Sequence, residues 1–138
     1  MNFIYHTRVY TDDTDYGGIV YHANYLKFME RARTEWLDHW GLPLSTLSNQ
    51  GYFFVIRAAE LNYLKPARLN DHLEITSEIT DHTQTQFHFS HTVRNAHNKD
   101  CVYTTGEIKL VCVNPEFKPT RIPETLIQKI TENKKHGH

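Results

Sequence analysis

His22-Ala23-Asn24-Tyr25-Leu26-Lys27-Phe28-Met29-Glu30-Arg31-Ala32-Arg33-Thr34-Glu35-Trp36-Leu37-Asp38-His39-Trp40 is the longest helical pattern in this chain of 138 residues. Leu26, Met29, Ala32 or Arg33, Trp36, Leu37 and Trp40 recur at spacings of three and four, the period of one helix face. Gly41 stops the run ahead of Pro43. Before the helix, residues 3–10 alternate as a strand, with Phe3, Tyr5 and Val9 against His6 and Arg8. After it, Leu44 to Asn49 reads as a short helical turn closed by Gly51. Four strand patterns follow at 53–65, 72–80, 86–94 and 101–113. Leu73, Ile75, Ser77 and Ile79 share one face, as do Phe87, Phe89, His91 and Val93. Ala96 to Lys99 is a turn, and Pro123 opens a short amphipathic helix with Leu126, Ile127 and Ile130. Lys134 to His138 reads as frayed. One strand, a long helix and four closely connected strands predict a single α+β domain over 1–138, an antiparallel sheet with its helices on one face.

The loop that feeds the helix carries the chemistry: Asp12-Asp13-Thr14-Asp15-Tyr16-Gly17-Gly18-Ile19-Val20-Tyr21. A helix start offers unpaired N–H groups and the positive end of the helix dipole, both of which favour negative charge. A carboxylate beside such an anion-binding pocket is what hydrolysis of a carbonyl substrate requires. Acidic residues near helix starts also cap helices and stabilise loops, so Asp15 has a structural reading as well. Gly17 and Gly18 permit positive φ or close approach of a ligand to the backbone.

The order Asp13-x-Asp15-x-x-Gly18-x-Val20-Tyr21-His22-x-x-Tyr25 resembles the active-site segment of the 4-hydroxybenzoyl-CoA-type hotdog thioesterases. Within them it is most similar to the YbgC-like acyl-CoA thioesterases associated with the Tol–Pal system. The similarity continues through Glu30-Arg31-Ala32-Arg33-Thr34-Glu35, Pro66-Ala67-Arg68-Leu69-Asn70-Asp71, Leu73-Glu74-Ile75 and Val111-Cys112-Val113, covering residues 7–123. It implies a hotdog fold, in which the sheet wraps the long helix. It also implies hydrolysis of a short aliphatic or aromatic acyl-CoA, and a homodimer or homotetramer with active sites between subunits.

By that resemblance Asp15 is the nucleophile or the general base, a choice the sequence leaves open. The backbone N–H of His22, at the helix start, is the expected oxyanion donor; such a donor is worth roughly 3 kcal/mol in the transition state. The His22 imidazole either orients the carboxylate, touches substrate or shuttles a proton. Its bland reading is a side chain that satisfies the first helical turn. Gly18, Tyr21 and Tyr25 are the expected substrate contacts, although by pattern alone the tyrosines are core aromatics. Asp13 is expected to organise the loop and Asp12 to be solvated. Arg57, Lys65, Arg68 and Arg94 are candidate contacts for coenzyme phosphates. Two departures from the family pattern bear on substrate preference. Thr11 stands where many relatives have Tyr, and Asp81-His82-Thr83-Gln84-Thr85 lacks the basic residue often found there. Acyl carrier protein is a further partner class, whether for an enzyme or for a scaffold with weak hydrolysis. A hydroxyacyl-thioester dehydratase is the other alternative, with Glu30 or Glu35 as its acid.

Composition narrows the field. Net charge is −1 with histidines neutral, which argues against a broad nucleic-acid-binding face. Hydrophobic residues make up 39%, including eight Tyr, seven Phe and two Trp, enough for a core. A chain of this length buries about two-thirds of its unfolded surface, so burial between subunits is a natural supplement. No stretch approaches the roughly 20 apolar residues of a membrane span, and the N-terminus lacks an export pattern. Cys101 and Cys112 in one strand would lie about 35 Å apart, beyond disulfide reach. Reduced thiols predict a cytoplasmic protein, with the inner-membrane surface as the variant location. Ten histidines raise a metal question, but no Cys/His cluster has ligand spacing: His88 and His91 face opposite sides of a strand, and His136 and His138 sit in the tail. Neither a Gly-x-Ser-x-Gly elbow nor a phosphate-binding Gly loop occurs. No metal or redox cofactor is expected, coenzyme A being part of the substrate.

Overall fold

The computed structural model describes residues 3–136. Its pivot is helix α1, Asn24–His39, which buries Tyr25, Phe28, Met29, Ala32, Trp36 and Leu37. Five strands surround it: β1 (Phe3–Arg8), β2 (Phe53–Tyr63), β3 (His72–His82), β4 (Gln86–Asn95) and β5 (Val102–Val113). They form one sheet in the order β1-β3-β4-β5-β2, every pairing antiparallel. Register shifts interrupt three ladders, at Ile56/Ala58, Ile79/Asp81 and Val93/Arg94. Such bulges bend strands and increase their twist, which lets the sheet curve around α1. A curved antiparallel sheet on one long helix is the hotdog architecture, as expected.

α1 crosses the sheet closely. A Cβ placed on Gly106 of β5 would lie 2.7 Å from both Sδ and Cε of Met29, so the thioether end of Met29 packs directly on the bare Gly106 backbone. Trp36 meets Phe89 of β4 edge-on, with ring centroids 5.2 Å apart. Beyond α1, helix α2 (Leu44–Asn49) seats Leu47 in the core, and α3 (Glu124–His136) seats Leu126 and Ile130.

Several boundaries differ from the sequence reading for local reasons. α1 starts at Asn24 rather than His22, because the Asn24 N–H bonds the Tyr21 carbonyl at 2.8 Å and closes a turn first. Its other end follows expectation. Gly41 takes φ +75°, its N–H reaches the Asp38 carbonyl, and the Leu42 N–H reaches that of Leu37. Those two bonds are a Schellman motif. β1 ends at Arg8, before a 3-10 turn at Thr11–Asp13. β2 ends at Tyr63 instead of residue 65, since the N–H groups of Leu64 and Lys65 both turn to the Tyr103 carbonyl. β3 runs two residues beyond 80, past its bulge. Cys101 falls just outside β5, in the turn that joins it to β4; both cysteines are free. The tail is helical through His136, not frayed from Lys134, and His138 lies outside the described residues.

One buried polar pair lies on the face of the sheet away from α1, and a second lies between helix and sheet. Glu74 on β3 is buried because Arg94 Nε donates to it at 2.9 Å. Arg33 of α1 donates from Nη1 to Nε2 of His91 on β4 at 3.0 Å. With Nε2 accepting, the His91 proton sits on Nδ1, which lies 3.1 Å from Ser77 Oγ and 3.2 Å from the Thr76 carbonyl. Burial, and secondarily the Arg33 charge, push His91 down to about 3 from 6.5. Between those values the unfolded chain takes up a proton that the native state refuses, so acidification favours unfolding. The expected result is a urea midpoint that falls as pH drops from 6.5 towards 3. His91→Gln should flatten this slope even if it lowers the midpoint at pH 7; an unchanged slope contradicts the assignment.

Candidate active site

The loop before α1 is a small hairpin. Thr14 bridges Val20, the Asp15 N–H donates to the Ile19 carbonyl, and the Gly18 N–H donates to the Asp15 carbonyl. Gly18 sits at φ +71°, the left-handed conformation that turns the chain back. The return arm, residues 18–20, lies against residues 67–69: Val20 N–H bonds the Ala67 carbonyl at 2.9 Å and Leu69 N–H bonds the Gly18 carbonyl at 3.0 Å. The Pro66-Ala67-Arg68-Leu69 segment is therefore the floor of the hairpin.

Each acidic residue here has a different environment. Asp12 is exposed, as expected. Asp13 is buried and ties three pieces together: Oδ2 accepts from the Tyr10 N–H at 2.9 Å, and Oδ1 accepts from the Asn24 side-chain amide at 3.0 Å. Its own carbonyl accepts from the Tyr21 N–H. This is the loop-organising role read from sequence. Asp15 is exposed, and its Oδ1 accepts from the Gly17 N–H at 3.1 Å. Among the described residues its second oxygen has no protein partner. Asp15 thus both stabilises its turn and presents a free carboxylate oxygen to solvent.

His22 lies in the turn two residues before α1. Among the described residues, neither its N–H nor that of Ala23 finds a protein acceptor. Such unpaired donors, at the N-terminal end of a 16-residue helix, are suited to a developing oxyanion. The imidazole rests against Tyr21, with centroids 4.5 Å apart, and edge-on to Tyr63 at 6.3 Å.

Of the five site residues read from sequence, the structure gathers His22 and Tyr25 around one cavity of about 250 Å³. It is lined also by Val20, Tyr63, Leu64 and Pro66. Tyr21 is half exposed beside His22 and does not line it. Gly18 and Asp15 belong to the adjoining hairpin, outside the cavity wall of this chain. The Tyr25 hydroxyl is buried and accepts from the Ala67 N–H at 3.2 Å. Burial raises its ionisation above the usual tyrosine value. Tyr25 therefore anchors the floor segment and offers the cavity its ring. Tyr63 is a site residue the sequence reading missed. Its hydroxyl donates to the His22 carbonyl at 3.2 Å, orienting the peptide at the helix start. Its only sequence signal is a tyrosine at the end of a strand, just ahead of Pro66. Among the basic candidates, Lys65 borders the cavity, Arg57 and Arg68 are exposed, and Arg94 is engaged by Glu74. Among the described residues no group of three His, Cys, Asp or Glu side chains converges as a metal site.

Residues 9–130 match the Thioesterase-like superfamily. This chain belongs to it. The acyl-CoA thioester hydrolase YbgC of Escherichia coli O6:H1 is 41% identical over 126 residues, which span 91% of this chain and 92% of that protein. A probable thioesterase from Bartonella henselae superposes with a TM-score of 0.83 at 31% identity, covering 89% of this chain and all of that one. A gentisyl-coenzyme A thioesterase superposes at 0.81 with 30% identity, covering 90% and 98%.

Within this thioesterase-like site the two glycines are not equivalent. A Cβ at Gly18 meets no atom within 4 Å, so Gly18→Ala carries conformational strain alone; the left-handed region costs a non-glycine residue about 1–2 kcal/mol. Gly17 has no positive φ, and its Cβ would make only ordinary contact with Asp15 Oδ1 at 3.8 Å. Denaturant titration should show Gly18→Ala destabilised by about that amount, with Gly17→Ala within about 0.5 kcal/mol of wild type. Equal losses would contradict this assignment of strain.

Proposed function

We propose that this chain, an acyl-CoA thioester hydrolase by its family, cleaves short aliphatic or aromatic acyl-CoA esters with Asp15 as nucleophile or general base. The observation that carries the reading is the divided Asp15 carboxylate, with one oxygen bonded in the turn and the other free. As a base, it takes a proton from water while the water oxygen adds to the thioester carbonyl carbon. The C–S bond then breaks and coenzyme A leaves as thiolate, to be protonated. As a nucleophile, it adds directly, expels the thiolate, and leaves a mixed anhydride that water hydrolyses. In either course the negative charge on the carbonyl oxygen is received by the free N–H groups at His22 and Ala23. Tyr25 borders the acyl path through its ring, and Gly18 and Tyr21 stand beside it outside the cavity wall.

Substrate size follows from the cavity beside His22. At about 250 Å³, walled by aromatic and aliphatic side chains, it suits a compact acyl group. The aromatic substrate named for the gentisyl-coenzyme A thioesterase is of this size class. The site is completed between two copies of the chain. Among the described residues β2 pairs only with β5, and it leaves Val55 and Ile56 exposed, as are Tyr63 and Leu64 at its end. An apolar edge of this kind is normally covered. A homodimer through β2, alone or paired into a tetramer, covers it; light scattering showing a single-chain mass at assay concentration would overturn this part. Two free thiols fit a reducing cytoplasmic setting. Among the described residues no helix is long and apolar enough to cross a membrane.

Neither alternative has an observation in its favour. A dehydratase needs its acid and histidine across one pocket, yet Glu30 lines a different cavity from His22 and Glu35 is exposed. An acyl-carrier-protein scaffold would show tight carrier binding with negligible thiol release. The test is thiol release from a panel of acyl-CoA esters. Asp15→Asn should lose about 10²–10⁴-fold in rate, whereas His22→Ala, which keeps its backbone N–H, should lose less. Full activity in both variants, or a panel with no thiol release by wild type, overturns the reading.

A further inference from the structure

A second cavity, of about 240 Å³, opens between α1, α3 and the concave face of the sheet. Trp36 and Leu37 of α1, Phe54 of β2, Phe87 and Phe89 of β4 and Leu126 of α3 give it apolar walls. From Asn24, where α1 begins, to Arg33 the helix rises about 14 Å, so this cavity is distinct from the one beside His22. Two charged side chains line it, Glu30 and Arg33, and only Arg33 is buried. Arg33 lines it while only 7% exposed. A guanidinium has five N–H donors, and among the described residues Arg33 forms one side-chain hydrogen bond, to His91. That partner is a neutral imidazole and supplies no countercharge. Among the described residues no carboxylate lies within 4.0 Å of the guanidinium. Glu30, one turn earlier on α1, lines the same cavity but is exposed to solvent at its mouth, and its charge reaches Arg33 only from beyond ion-pair distance. Burial lowers Arg33 only to about 10, so it remains a cation at neutral pH.

A buried cation without an ionic partner is unfavourable, and the planar guanidinium fork matches a carboxylate better than any other common group. Apolar walls around a buried convergent charge are also the usual make-up of a small-molecule site. We propose that this cavity binds a compact apolar carboxylic acid, its carboxylate anchored by Arg33 and its hydrocarbon part held among Trp36, Phe87 and Phe89. The volume lies just below the common range of about 300–1,000 Å³, which favours a small acid over a long fatty chain. Such an acid has two sources in a thioesterase: free product released by hydrolysis, or a carboxylate-ended acyl group still carried on coenzyme A.

The test uses octanoate as the probe and 1-octanol as its uncharged counterpart of equal length. The chain has two tryptophans. Trp36 is in the wall and Trp40 lies tilted against it, ring centroids 4.2 Å apart, so intrinsic fluorescence reports occupancy without any turnover. Saturable octanoate binding, at least tenfold tighter than octanol, is the expected result, and Arg33→Gln should abolish that preference. Because Arg33 is also a packing residue, a second variant is needed. Leu44→Glu places a negative charge on an exposed rim residue and should weaken octanoate while sparing octanol. Equal affinity for acid and alcohol, or no saturable signal because a second copy of the chain covers the cavity, overturns the proposal. Inhibition of thiol release then separates the sources: competition with acyl-CoA identifies the carried acyl group, and non-competitive inhibition identifies free acid. The fluorescence result stands whether or not Asp15 performs the hydrolysis.

Discussion

Burial of the α1 stripe against the curved sheet is the constraint on which the remaining structure depends. Phe28, Met29, Ala32 and Trp36 are almost wholly withdrawn from water, and a large apolar side chain so placed stabilises by about 1.5–3 kcal/mol. Gly106 gives the tip of Met29 its seat on the sheet, since it has no side chain there. Once α1 is seated, the position of Asn24 is fixed, and Asn24 is one of the groups the Asp13 carboxylate holds. The same carboxylate holds Tyr10 at the end of β1. Core packing is thereby transmitted through one buried side chain to the hairpin that carries Asp15.

That chain of contacts explains how three nearby carboxylates diverge. Asp13 is inaccessible and fully engaged by donors, so it serves geometry. Asp12 faces water. Asp15 has a single bond within its own turn, and among the described residues its other oxygen has no protein partner. Tyr25 and Tyr63 act on the other side of the helix start. The first holds the floor segment at Ala67 and the second holds the His22 carbonyl. The loop is thus fastened at several points around the exposed Asp15 carboxylate, a combination that would favour preorganised hydrolysis in the proposed function.

Local signals were legible wherever one residue type determines a conformation. Gly41 ended α1 through its positive φ, Pro123 preceded α3, and the two-residue alternation located β3 and β4 together with their buried faces. Asp13, Asp15 and His22 stood out because the residue order around them is characteristic. What the sequence could not reveal were contacts between distant segments. The start of α1 shifted because Asn24 answers to Tyr21 and Asp13. Glu74 occupies a solvent-type position in the alternation yet is buried by Arg94. Arg33 and His91, 58 residues apart, form a buried polar pair that helical and strand periodicities treat as separate. Tyr63 likewise acquires meaning only when β2 is laid beside His22. Asp15 and the cavity beside His22 are not joined within one chain, which is why the edge strand matters to the functional account.

The central claim is that thioester chemistry occurs at the free Asp15 oxygen. The most direct measurement is a crystal structure of the protein with a non-hydrolysable thioether or ketone analogue of a short aromatic acyl-CoA. The account predicts a ligand carbonyl carbon, or its equivalent atom, within about 3.5 Å of an Asp15 carboxylate oxygen or of a water held by it. Its oxygen should face the N–H groups at His22 and Ala23. A ligand whose reactive carbon lies away from Asp15, with that carboxylate still open to solvent, would contradict the account.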